Sequence, residues 1–184
     1  TRYEAEEASR SDGTTLERSD DIESTAIEAS GQSYVALSDK NSSVDFTAST
    51  AANALDLRFT LPDRTSGRVD VRVNNETVAT LDLSSETAWQ YVGGDHVYDE
   101  PGDGRKARFR FDEVHTLLGR QVEKDDHIQI VKVGDDQNAY GIDFIELEQA
   151  APAIERPEGA VSVADYQGAR PDDGVDDSDA LIWA

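Results

Sequence analysis

The feature that most constrains this chain is strict alternation of apolar and polar residues in short runs. In "ALDLRFTL" (54–61), Leu55, Leu57, Phe59 and Leu61 share one parity, and Asp56, Arg58 and Thr60 share the other. In "RVDVRVN" (68–74), Val69, Val71 and Val73 alternate with Arg68, Asp70 and Arg72. Successive side chains of a strand point to opposite faces, so such a run buries one face of a sheet and wets the other. "SVDFTA", "TVATLDL", "ARFRFDE" and "HIQIVKV" behave similarly, and the turn signals "PDRTSG", "VNNE", "PGDG" and "EKDD" separate the runs. No strand–helix–strand alternation intervenes, and helical candidates such as "FDEVHTLLG" (111–119) are short. The expected fold is all-β, an antiparallel β-sandwich. An apolar fraction of 37% suffices for it, because each strand needs only one apolar face.

The pattern stops after Glu148. Residues 1–148 read as the sandwich and 149–159, with two prolines and no periodicity, as a linker. Residues 160–184 read as a short strand, a Gly/Pro/Asp turn and a helix start at Asp177 or Ser178, the opening of a further domain that is cut off. The N-terminus, "TRYEAEE", reads like a mature or trimmed end. With 17 basic against 39 acidic residues, the net charge is −22. Such a chain repels nucleic acid and anionic membrane, attracts divalent cations, and suits a salty or extracellular setting; the protein is expected to be secreted. There is no cysteine, and no run of 18 apolar residues spans a membrane. His96, His115 and His127 lack metal-ligand spacing, and no nucleophile or phosphate-loop motif is present. The neighbouring acids Asp112 and Glu113 would point apart in a strand, so they cannot serve together as acid and base. The chain is therefore expected to be monomeric and non-catalytic.

One stretch conflicts with simple alternation. "YGIDFIELE" (140–148) puts Ile142 and Phe144 on one side of a strand and Asp143 with Ile145 and Leu147 on the other. A lone buried carboxylate costs several kcal/mol, so Asp143 needs a partner. In "YEAEEAS", Glu4 and Glu6 are two apart and would share a side of a strand. If the first and last strands are neighbours, Glu4, Glu6 and Asp143 converge and need a cation. Calcium suits such a set, with backbone carbonyls of residues 28–33 completing six to eight oxygens. Spacing alone leaves the alternative that Glu4 and Glu6 sit on a solvated edge.

The order of "YEAEEAS", "ASGQSYVALSDKNSSVDF", "LDLRFTLPD", "VNNETV" and the closing "YGIDFIELE" resembles carbohydrate-binding modules of families 6 and 35, over about residues 1–148. The resemblance implies a galactose-binding-like jelly roll with a structural calcium held by Glu4, Glu6 and Asp143. The segment "WQYVGGDHVYDEPGDGRKARFRFDEVHTLLG" resembles an insertion in the sandwich that precedes the β-helix of polysaccharidases, nearest the α-1,3-glucanase and mycodextranase group. "VSVADYQGARPDDGVDDSDAL" resembles the N-terminal cap of pectate-lyase-like β-helix enzymes, except that Gln167 intervenes between Tyr166 and Gly168.

A sugar site needs an aromatic platform and a few polar groups. Trp89, Tyr91 and Tyr98 supply aromatics in one loop, and the loop before the last strand holds Asn138 and Tyr140. The alternative is that Trp89 and Tyr91 pack the sandwich or pack against a β-helix. The resulting expectation is a non-catalytic module that binds a polysaccharide, with a neutral glucan favoured, for an appended β-helix catalytic domain. The alternative is an accessory domain that packs on that enzyme without binding sugar itself.

Overall fold

The computed structural model describes residues 1–88, 90–91, 107–165, 169–170 and 176–182. The chain forms two compact units, Thr1–Ala150 and Ala151–Ala184. The first is built from β1 (Arg2–Glu4), β2 (Ser9–Arg10), β3 (Thr14–Arg18), β4 (Ser33–Leu37), β5 (Ser43–Thr47), β6 (Ala52–Thr60) and β7 (Ser66–Val73). It continues with β8 (Glu76–Ser84), β9 (Gln90–Tyr91), β10 (Ala107–Phe109), β11 (Phe111–Val122), β12 (His127–Lys132) and β13 (Tyr140–Glu148). Within the second unit, a 3-10 turn covers Val163–Asp165 and a single helical turn covers Ser178–Ile182. No helix among the described residues is long and apolar enough to cross a membrane.

The strands make a β-sandwich of two antiparallel sheets. One has the order β11-β6-β13-β4-β3, with β1 added to β13, and the other has the order β2-β5-β12-β7-β8. β9 and β10 form a separate pair. The alternating residues become the core. Leu55, Leu57 and Phe59 of β6 and Ile142, Ile145 and Leu147 of β13 share one apolar cluster with Val69, Val71 and Val73 of β7 and Ile128 and Ile130 of β12. Each fully buried aliphatic side chain contributes roughly 1.5–3 kcal/mol.

Two local expectations need correction. Residues 111–119 are not helical: they belong to β11, which runs antiparallel to β6 with Val114 opposite Leu57 and Thr116 opposite Leu55. Their parity follows that of β6, and pairing along an amphipathic strand overrides a weak local helix preference. Glu6 is not in a strand. β1 ends at Glu4, and Ala5–Glu7 form a 3-10 turn, so the period-two argument for Glu4 and Glu6 does not apply.

Lys132 is fully buried. Its ammonium donates to the carbonyls of Ser38 (3.1 Å), Asp136 (3.1 Å) and Asn138 (2.5 Å), and lies 4.6 Å from the centre of the Tyr140 ring. An unpaired buried ammonium would be costly, and three carbonyls and a ring face replace its water. This cation fastens the loop that leads into β13.

Candidate functional site

Asp143 sits in a β-bulge. Ile142 pairs with Phe59 and Phe144 with Arg58, so Asp143 is an extra residue on β13. An inserted residue shifts the facing of all that follow. Ile142 therefore shares the core with Ile145 and Leu147, three and five residues on, while Phe144 is buried outside that cluster. This corrects the simple parity that placed Asp143 with Ile145 and Leu147.

Asp143 is 0% exposed and is held by two donors. Arg58 Nη1 donates to Oδ2 at 2.5 Å, and the Ser30 backbone N–H contacts Oδ1 at 3.0 Å and Oδ2 at 3.2 Å. Burial pushes the carboxyl up to about 6; the Ser30 N–H and Arg58 act against that rise, and Glu4 adds to it. Arg58 is held from several directions. Nη1 also donates to the Glu28 carbonyl (3.1 Å), and its guanidinium lies 4.9 Å from the Phe111 ring centre and 5.9 Å from that of Phe144. Glu28 in turn accepts the Arg110 backbone N–H at 2.7 Å, with the Arg110 guanidinium 3.8 Å away.

β1 pairs with β13, with Glu4 opposite Phe144. The first and last strands are thus neighbours, and Glu4 comes beside the bulge. Ser30 Oγ donates to Glu4 Oε1 at 3.0 Å, and Ser33 Oγ donates to Glu6 Oε1 at 2.9 Å. Between these serines, Gly31 has φ 59°, and a Cβ there would stand 2.9 Å from Glu6 Oε1. A side chain at that position would be strained and would crowd the carboxylate. The segment 28–33 therefore reaches all three acids, Ser30 touching Glu4 and Asp143 and Ser33 touching Glu6. It presents mainly donors to them: Ser30 N–H and the hydroxyls of Ser30 and Ser33. The Glu28 carbonyl is engaged by Arg58. Glu4 Oε2 and Glu6 Oε2 remain buried and accept no hydrogen bond. Buried carboxylate oxygens without donors are costly, and a cation would relieve them.

The expected sugar contacts fare differently. Trp89 and Tyr98 lie outside the described residues, and only the backbone of Tyr91 is described, in the β9–β10 pair. Asn138 is half-buried; its N–H donates to Asp136 Oδ1 at 2.9 Å and its carbonyl accepts from Lys132. Tyr140 is corrected. It is 0% exposed, its hydroxyl donates to Asp136 Oδ2, and it also accepts the Arg68 N–H at 3.3 Å. A ring with no exposed face cannot stack on a sugar. The Tyr166–Gly168 stretch that resembles a β-helix cap also lies outside the described residues.

Comparison with known proteins gives the frame for this geometry. A family model described as "Alpha-1,3-glucanase catalytic domain D1" matches residues 1–150. The whole chain superposes on the Agl-KA catalytic domain with a TM-score of 0.87 at 40% identity, covering 100% of this chain and 33% of that one. It also superposes on the catalytic unit of the thermostable GH87 alpha-1,3-glucanase from Streptomyces thermodiastaticus strain HF3-3, with a TM-score of 0.78 at 31% identity, covering 100% and 32%. A family 35 carbohydrate-binding module from Clostridium thermocellum shares the fold alone, at 15% identity with a TM-score of 0.57, covering 82% of this chain and 98% of that one. No curated protein matches.

These findings overturn two expectations. The chain is not a non-catalytic carbohydrate-binding module: its matches are to D1 of a glucanase catalytic domain and to catalytic units of that group. It is likewise a region of an enzyme rather than a non-enzymatic appendage. The resemblance to binding modules misled because the sandwich is common to both, and fold does not settle function. The chain spans about a third of the length of the catalytic units it matches. With residues 1–150 inside the family model, the chain belongs to the alpha-1,3-glucanase catalytic domain D1 family.

Proposed function

We propose that this chain is the D1 portion of the catalytic unit of a GH87 enzyme, and that the intact protein hydrolyses α-1,3-glucan. The observation that carries this reading is 40% identity to the Agl-KA catalytic domain across the whole chain, together with the D1 match over residues 1–150. A GH87 catalytic domain solved in complex with nigerose, 25% identical over 86% of this chain, supports a neutral glucan as the polymer recognised by the intact protein. In this reading the protein is secreted, since an insoluble polysaccharide cannot enter a cell. In the same reading residues 160–184 are the opening of the β-helix that makes up the remainder of the unit.

Calcium is part of the proposal. Glu4, Glu6 and Asp143 would hold it, and the two buried glutamate oxygens without donors are what favours the fit. When bound, the ion would neutralise the carboxylates and cross-link β1, the 3-10 turn after it and β13. Arg58 engages Asp143 Oδ2 and leaves Oδ1, which the Ser30 N–H also contacts. Arg58 and Ser30 thus position Asp143 whether or not the ion is present.

The test is to express the full-length protein and measure reducing ends released from α-1,3-glucan, α-1,4-glucan and β-1,3-glucan. Release from α-1,3-glucan above the other two is the expected result. Cleavage of another glucan with none of α-1,3-glucan would overturn the reading.

A further inference from the structure

The outer face of the six-stranded sheet carries a second cluster that the glucanase reading does not use. Strand pairing sets Glu113, Arg58 and Phe144 in one row, His115, Asp56 and Glu146 in the next, and Leu117, Ala54 and Glu148 in the third. Asp56, Glu113 and His115 each offer one ligand atom, and these atoms all lie within 4.8 Å of one another. No other trio of His, Asp or Glu among the described residues meets that spacing, the Glu4–Glu6–Asp143 set included.

Acids crowded on an acidic protein are not by themselves a site. Two further observations distinguish this group. Asp56 is only 8% exposed, and its Oδ1 is buried and accepts no hydrogen bond. That same oxygen lies 3.1 Å from His115 Nδ1, an approach that falls outside hydrogen-bond geometry. A shallow pocket also opens beside the trio, lined by Ala54, Asp56, His115, Thr116, Leu117 and Glu148. Burial raises the Asp56 carboxyl above its usual range; His115 acts against the rise, and Glu113, Glu146 and Glu148 add to it.

We propose that Asp56, Glu113 and His115 form a binding site for a divalent transition metal of the zinc class. The donor set selects the class: an imidazole suits zinc, copper or nickel, whereas calcium and magnesium take oxygen alone. Zinc–ligand bonds of about 2.1 Å in a tetrahedron place ligand atoms about 3.4 Å apart. The exposed arms can close that gap, since the side chains of His115 and Glu113 are 75% and 45% exposed while Asp56 supplies the fixed point. Glu113 must give up a weak contact, its Oε1 lying 3.7 Å from Arg58 Nε. Three protein ligands leave a fourth position open toward the pocket for water or Glu148.

The experiment uses the 184-residue chain, stripped of metal and then held in excess calcium so that oxygen-only sites are filled. Calorimetric titration with zinc chloride near neutral pH should show one equivalent of binding and a rise in Tm. His115→Ala, which changes an exposed side chain, should abolish both, and Glu4→Gln should leave both intact. No heat and no Tm shift would overturn the proposal. So would zinc binding that survives His115→Ala, or several weak equivalents insensitive to it, which would mark non-specific attraction to an acidic surface.

Discussion

Arg58 Nη1 donates to Asp143 Oδ2 at 2.5 Å at the place where β6 and β13 fall out of step. The bulge and the arginine belong together. One residue too many on β13 moves Asp143 away from the core parity, and Arg58, paired with the next residue Phe144, supplies the charge that keeps a fully buried carboxylate tolerable.

The raised carboxyl of Asp143 sets a pH dependence. Its folded value of about 6 exceeds the ordinary 3.8, so the folded state holds this proton more tightly than the unfolded state does. The resulting stabilisation is fully present below about pH 4 and is lost as pH rises through 6. Without calcium, the stability of the wild type relative to Asp143→Asn should therefore fall between those values, by at most about 3 kcal/mol. Urea unfolding at several pH values in chelator measures it, and a flat difference would count against the assignment. Saturating calcium, by favouring the ionised form, should suppress the fall.

Chelation should lower the melting temperature, because an ion bound only by the native state stabilises it. Glu6→Gln should remove most of the difference between calcium-loaded and chelated samples. Equal melting temperatures for the two wild-type samples would dispose of the calcium proposal.

Lys132→Met keeps an apolar stem of similar length but removes the ammonium that serves the carbonyls of Ser38, Asp136 and Asn138. Buried acceptors left without a donor cost about 1–3 kcal/mol each before relaxation. The net loss expected on urea unfolding is about 3 kcal/mol. A change under about 0.5 kcal/mol would mean that water replaces the ammonium freely.

Gly67 faces the Tyr140 ring, and a Cβ there would stand 2.5 Å from Cζ. Gly67→Ala should destabilise by about 1–3 kcal/mol, because a fully buried ring cannot step aside without disturbing its neighbours. Thermal unfolding reads this directly, and an unchanged Tm would show that the ring can shift.

Much of the fold was legible because alternation is a local property. Leu55, Leu57 and Phe59, or Val69, Val71 and Val73, declare their buried face in the order of residues alone, and the structure buries all six. The unusual character of Asp143 was visible too, as a charge inside an apolar run. What the sequence could not show was how the strands meet. The bulge at Asp143 depends on β6 and β13 being aligned, and only that alignment makes Arg58 its partner. Glu6 comes to the cluster through a 3-10 turn and a serine 27 positions away, not through strand parity. Tyr140 looked like a loop aromatic until Lys132 and Gly67 enclosed it. His115 showed no ligand spacing along the chain, yet β6 and β11 set it opposite Asp56. Periodicity along one strand is encoded by residues a few positions apart, so the sequence determined the strands and their buried faces. Registers, bulges and the meeting of distant side chains depend on which strands pair, and only the tertiary structure decided those.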